Sequence, residues 1–125
     1  MISIVDDDAF VRQAVEDLIQ SLGYRTATFP TAERFLESGR VEETSCLIAD
    51  LQMPGLNGLD LQSHLMAQGH RTPIIFITAF PEEKSRTRAL NAGAVGFLSK
   101  PCDEDALINC LEIALTGFTG QGVGS

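Results

Sequence analysis

The sequence has no tryptophan, a single tyrosine and three cysteines. Cys46, Cys102 and Cys110 form no Cys-x-x-Cys pair, and His64 and His70 lack zinc spacing, so neither a disulfide scaffold nor a zinc site is written here. A reducing, cytoplasmic setting is the resulting expectation. Basic residues are scarce: 9 Lys and Arg stand against 17 Asp and Glu, a formal charge of −8. Such a surface repels phosphate backbones, which excludes direct nucleic-acid binding by this segment and suits a basic partner or a divalent cation. No apolar run approaches the ~18 residues of a membrane helix, and no basic stretch precedes an apolar leader, so no membrane association is expected.

What is present is the mixture of one globular domain, 44% hydrophobic and 21% charged over 125 residues. A chain of that length buries roughly two-thirds of its unfolded surface. Residues 1–5 form a short apolar strand ending in Asp6-Asp7-Asp8. Phe10, Val11, Ala14, Val15, Leu18, Ile19 and Leu22 recur at helical spacing, with Gly23 as C-terminal cap. An outer strand over 25–29 and a short helix capped by Thr31, with Phe35 and Leu36 inward, come next. A polar loop over 38–45 leads to the buried strand Cys46–Asp50.

Leu59, Leu61, Leu65 and Met66 mark a third helix closed near Gly69. Ile74–Thr78 is a continuous apolar strand of the kind covered on both faces. The following helix, over about 82–92, has only the thin apolar stripe Ala89-Leu90 and should pack least firmly. A fifth strand spans 95–98, and Asp103 caps a last helix carrying Ala106, Leu107, Cys110, Leu111, Ala114 and Leu115. Cys46 and Cys110 fall on core-facing positions and serve as small hydrophobes. The domain therefore occupies residues 1–116, and the Gly-rich stretch 117–125 reads as a linker or frayed end. Five strands alternating with five helices predict an α/β, doubly wound parallel sheet.

In the order 2-1-3-4-5 all strand carboxyl ends share one edge, with a crevice between strands one and three. Asp6 and Asp7 end the first strand there, Asp50 the third and Thr78 the fourth, while Lys100 follows the fifth. Crowded carboxylates resist ionising together, and a hard cation relieves that conflict. Magnesium (or manganese) suits Asp7 and Asp50 as direct ligands, Asp6 through water, and the backbone carbonyl of Gln52. Lys100 adds a mobile positive charge and Thr78 a directed hydroxyl. Metal, ammonium and hydroxyl around one carboxylate describe a phosphoryl acceptor, with Asp50 as nucleophile. Asp8 alone is better explained as a helix cap, as are Asp103-Glu104-Asp105 at theirs.

These residues stand in a pattern that resembles the receiver domain of two-component response regulators. The matching residues are Ile4-Val5-Asp6-Asp7-Asp8, Asp50-x-x-Met53-Pro54-Gly55-x-x-Gly58 and Ile75-Phe76-Ile77-Thr78-Ala79. Ala92-Gly93-Ala94 and Phe97-Leu98-Ser99-Lys100-Pro101 complete them, over about residues 2–116. Val11-Arg12 and the Phe97-to-Pro101 ending are similar to the FixJ-like branch. The resemblance implies a flavodoxin-like (βα)5 fold and transfer of a phosphoryl group from a sensor histidine kinase to Asp50, with magnesium. It implies that Thr78 then moves toward the phosphoryl group and Phe97 inward. The face of the fourth helix, fifth strand and fifth helix changes for homodimerisation or output, transcription above all. Ala79 leaves room for the phosphoryl group, and Lys100-Pro101 resembles the family's cis peptide.

Some residues depart from the family's common pattern. Phe97 offers no hydroxyl, Cys102 replaces a bulkier apolar residue, and the Gln52 side chain is placed to tune phosphoryl hydrolysis. No turnover of an external substrate is expected. A haloacid-dehalogenase-type hydrolase would place a second acid where Gln52 stands. A flavodoxin-type cofactor binder would need a Ser/Thr/Gly-rich loop where the aspartates stand. The remaining alternative is a receiver-like interaction module that works without phosphorylation.

Overall fold

The computed structural model describes residues 1–101 and 103–116. Cys102, which stands where a bulkier apolar residue is common, and the tail 117–125, read as a linker or frayed end, lie outside the described residues. Strands β1 (Ile2–Val5), β2 (Thr26–Phe29), β3 (Cys46–Asp50), β4 (Ile74–Thr78) and β5 (Gly96–Ser99) pair in parallel in the order β2-β1-β3-β4-β5. They alternate with α1 (Ala9–Ser21), α2 (Ala32–Glu37), α3 (Gly58–Ala67), α4 (Glu83–Asn91) and α5 (Glu104–Thr116). The predicted doubly wound topology is the observed one.

Every residue of β1, β3 and β4 is buried, as strands covered on both faces require. Alternation splits them between two cores. Val5, Leu47, Ala49, Ile74 and Phe76 pack with Phe35, Leu59, Leu61, Leu65 and Ala89 of α2, α3 and α4. Ile2, Ile4, Cys46, Ile48, Ile75 and Ile77 pack with Val15, Ile19, Leu107, Leu111 and Ala114 of α1 and α5. Capping follows the sequence at three helices. Asp8 accepts from the Phe10 amide at 2.9 Å, Thr31 from the Arg34 amide at 3.0 Å, and Asp103 from the Ala106 amide at 3.0 Å. Asn57 and Asp60 form a reciprocal box at the start of α3. Glu82 makes no such bond at the start of α4, where Ala89 is the one buried residue.

Four residues placed inward by periodicity point outward: Phe10 is 88% exposed, Met66 53% and Leu22 40%, and the small Ala14 is exposed as well. Phe10 and Leu22 sit at the two ends of α1, beyond the reach of the strands beneath. In α3 the buried face runs through Gly58, Leu61, Gln62 and Leu65, which turns Met66 to solvent. Gln62 takes the inward position because its Nε2 donates to the Ala89 carbonyl of α4 at 3.1 Å. β5 pairs from Gly96, one residue later than its apolar run suggests. The loop 38–45 also contributes inward: buried Thr44 lies 2.7 Å, Oγ to Oγ, from buried Ser3 of β1.

Candidate functional site

β1 presents Asp6 directly beyond Val5, β3 ends on Asp50, β4 ends on Thr78, and Lys100 follows β5. Asp6 and Asp50 are almost sealed, at 2% and 4% exposure, while Asp7 opens to solvent. One carboxylate oxygen from each of Asp6, Asp7 and Asp50 lies within 4.8 Å of the others. Lys100 Nζ approaches Asp6 Oδ2 at 3.1 Å and Asp50 Oδ2 at 3.3 Å. The Lys100–Pro101 peptide is cis, and Pro101 is exposed.

Burial, and then the charge of Asp6, push the Asp50 carboxyl up to about 6, against the opposing pull of Lys100 and the Gln52 amide. For Lys100, burial pulls the ammonium down, but the charges of and hydrogen bonds to Asp6 and Asp50 outweigh it and hold the group above its ordinary value. Three carboxylates thus face one ammonium. The cluster retains negative charge, and its donors are all hard oxygens. That donor chemistry fits magnesium or manganese and poorly suits a soft metal.

The surrounding loops hold these groups in place. The Asp8 amide donates to Asp6 Oδ1 at 2.9 Å, and Arg12 of α1 donates to the Asp6 carbonyl at 2.6 Å. The Gln52 amide donates to Asp50 Oδ1 at 3.2 Å. Gly55 turns with φ +75°, and Leu56 beyond it donates to Glu33 Oε2 of α2 at 3.0 Å. That bond holds the Glu33 carboxyl below its ordinary value. At Gly58 a Cβ would stand 2.7 Å from the Asp50 carbonyl, so only glycine lets α3 begin against the end of β3.

Thr78 is fully buried; its hydroxyl donates to Gln52 Oε1 at 3.2 Å and accepts from the Phe80 amide at 3.1 Å. The Lys100 amide donates to the Thr78 carbonyl at 2.8 Å, which ties the ends of β4 and β5 together. Ala79 is exposed beside Thr78. Phe97 does not join this polar group. It is half-buried across from Phe76 in register and packs on the core beneath α2, α3 and α4. The contacts of Arg12 and Glu33 with this edge escaped the sequence reading. Arg12 stands four residues after the cap Asp8, the spacing that places it over the start of α1, whereas nothing near Glu33 in sequence reveals its long-range partner.

The description Response regulator receiver domain matches residues 2–112. Nodulation protein W of Bradyrhizobium diazoefficiens is 37% identical over 114 residues, covering 91% of this chain and 50% of that protein. Among solved structures, response regulator StyR is 40% identical with a TM-score of 0.86, over 96% of this chain and 61% of that one. The FixJ-N crystal structure is 29% identical with a TM-score of 0.81, over 92% of each chain. The chain spans about half the length of the curated relatives it matches. Sheet order, the three-aspartate edge with its lysine, and these likenesses agree: the chain belongs to the response regulator receiver domain family of two-component systems.

Proposed function

We propose that the chain is switched by taking a phosphoryl group onto Asp50 from the phosphohistidine of a sensor histidine kinase. The observation that carries this reading is the sealed Asp50 carboxylate, with Asp6 and Asp7 oxygens within 4.8 Å and Lys100 Nζ at 3.3 Å. A magnesium or manganese ion held by Asp6, Asp7, Asp50 and the Gln52 carbonyl supplies positive charge to phosphoryl oxygens when bound. An Asp50 oxygen attacks phosphorus, the phosphorus–nitrogen bond breaks, and its electron pair stays on the imidazole nitrogen. Above a pKa of about 6, Asp50 is mostly the required anion at neutral pH. Lys100 shifts its ammonium from the carboxylates to a phosphoryl oxygen, and Thr78 turns its hydroxyl toward the same group.

Ala79, with no bulk beyond Cβ, leaves space for the incoming group. Phe97 follows Thr78 inward, and the face of α4, β5 and α5 is thereby remade for homodimerisation or output. Relatives longer than this chain, among them transcriptional regulatory protein FixJ, of which the match covers 56%, support transcription control through a further domain. The chain acts on itself and turns over no external substrate. Intact mass after incubation with magnesium and acetyl phosphate tests the reading. One added phosphoryl group is expected, absent in Asp50→Asn and absent in EDTA. No adduct with two different small donors would leave an interaction module that works without phosphorylation.

A further inference from the structure

Thr78 has one hydroxyl proton, and in this structure that proton is engaged. Its Oγ1 donates to Gln52 Oε1 at 3.2 Å, while the Phe80 amide occupies an acceptor position at 3.1 Å. A hydroxyl carries one donor and two acceptor sites, so a second acceptor is reached only by surrendering the first. Gln52 is also joined to the neighbouring carboxylate, since its own amide donates to Asp50 Oδ1 at 3.2 Å. The same residue thus contacts both Asp50 and Thr78, from the loop that leaves β3. Thr78 is fully buried, so water does not easily replace a lost partner, whereas Gln52 is exposed and free to change rotamer.

We infer that the Gln52 side chain is a positioning residue that restrains Thr78 in the unmodified orientation by competing for its single proton. This rests on the reading of Asp50 as phosphoacceptor and adds a restraint specific to the amide at position 52. A phosphoryl oxygen on Asp50 and the Gln52 carbonyl are rival acceptors for one O–H. Switching breaks the Thr78–Gln52 bond before or as the new one forms. Removing the carbonyl should favour the switched orientation by about two- to tenfold, the worth of one neutral hydrogen bond. Gln52→Met tests this, because methionine keeps the length of the side chain and the backbone carbonyl but offers no comparable acceptor.

Two measurements decide the matter. The first is the Thr78 χ1 rotamer in the unphosphorylated protein, from NMR scalar couplings. A single rotamer is expected in the wild type, and a mixture or a new rotamer in Gln52→Met; an unchanged rotamer overturns the inference whether or not Asp50 accepts phosphate. The second is a double-mutant cycle with beryllofluoride and magnesium as a phosphoryl mimic. Gln52→Met should tighten apparent binding about two- to tenfold with Thr78 present and leave it unchanged in Thr78→Ala. Equal tightening in both backgrounds would show that Gln52 does not act through the hydroxyl. If beryllofluoride binds to none of the proteins and acetyl phosphate leaves no adduct, the phosphoacceptor reading fails, and the χ1 comparison still decides the restraint.

Discussion

A carboxylate 4% exposed beside Asp6 holds its proton more tightly than the same group in an unfolded chain, and Asp50 titrates at about 6 in the metal-free fold. Between about pH 4 and pH 6 the folded state therefore binds more protons than the unfolded one. The contribution of Asp50 to stability is fully present below about pH 4 and is lost as the pH rises through about 6. After allowance for solvent screening the loss is about 1–2 kcal/mol. Lys100 has its pKa raised as well, but its contribution is lost only above the ordinary lysine range, outside that window. In EDTA, Asp50→Asn should thus be more stable than the wild type at pH 7.5 by about 1–2 kcal/mol, several degrees in Tm, with the gap closing toward pH 4. Magnesium should raise the wild-type Tm at pH 7.5 more than that of Asp50→Asn. Parallel pH profiles for the two proteins, followed by thermal melts, would count against this account. The carboxylates, Lys100 and Thr78 were legible as residues because each closes an apolar strand. The side-chain bonds of Arg12, Glu33 and Gln52 were not, because hydrogen-bond partners six to twenty-six positions away leave no local pattern.

Elements were legible where their own period decided them. β1, β3 and β4 are continuous apolar runs, and α1 and α5 carry full helical stripes. The errors fall at the ends of α1, where the stripe overruns the sheet, and where a neighbouring element sets the position. Periodicity alone ranks Met66 above Gln62 for the inner face of α3, but a glutamine that satisfies the Ala89 carbonyl of α4 is buried at little cost. β5 begins at Gly96, not Val95, and the glycine has a packing reason: a Cβ there would stand 2.5 Å from Cys110 Sγ of α5. Gly96→Ala should therefore destabilise the fold by about 1–3 kcal/mol through overpacking. Cys110→Ala removes the offending sulfur, so adding it to Gly96→Ala should recover part of the loss, although alone it destabilises. Urea unfolding of the four proteins gives the coupling, and purely additive effects would show that α5 does not impose the glycine.

For the molecule as a whole, topology was the most legible feature, because alternating strands and helices with short connections leave few arrangements other than a doubly wound sheet. Output was the least legible, since surfaces that meet a partner leave no period or motif in the sequence. The proposed homodimer brings together two copies each of net charge −8, which repel at low ionic strength. Beryllofluoride with magnesium should shift the wild type toward a dimer in sedimentation velocity, leaving Asp50→Asn monomeric. Moderate salt should strengthen that dimer by screening the repulsion, over a Debye length of about 10 Å at 0.1 M. Salt-induced dissociation would instead indicate an interface held by ion pairs across the two copies.

The sharing of one core by α1 and α5 has a consequence for the order in which a nascent chain can become safe. β1 is an inner strand, flanked by β2 and β3, so it has one flank unpaired until β3 emerges and Ile2 meets Cys46. Even then Ile48, Ile75 and Ile77 present an uncovered isoleucine face until Leu107 and Leu111 of α5 have left the ribosome. The last helix is thus the lid on the first strands' work. A ribosome stalled anywhere between β4 and α5 would hold out a sticky sheet, and such a truncated product should be a substrate for chaperones and proteases rather than a smaller working domain.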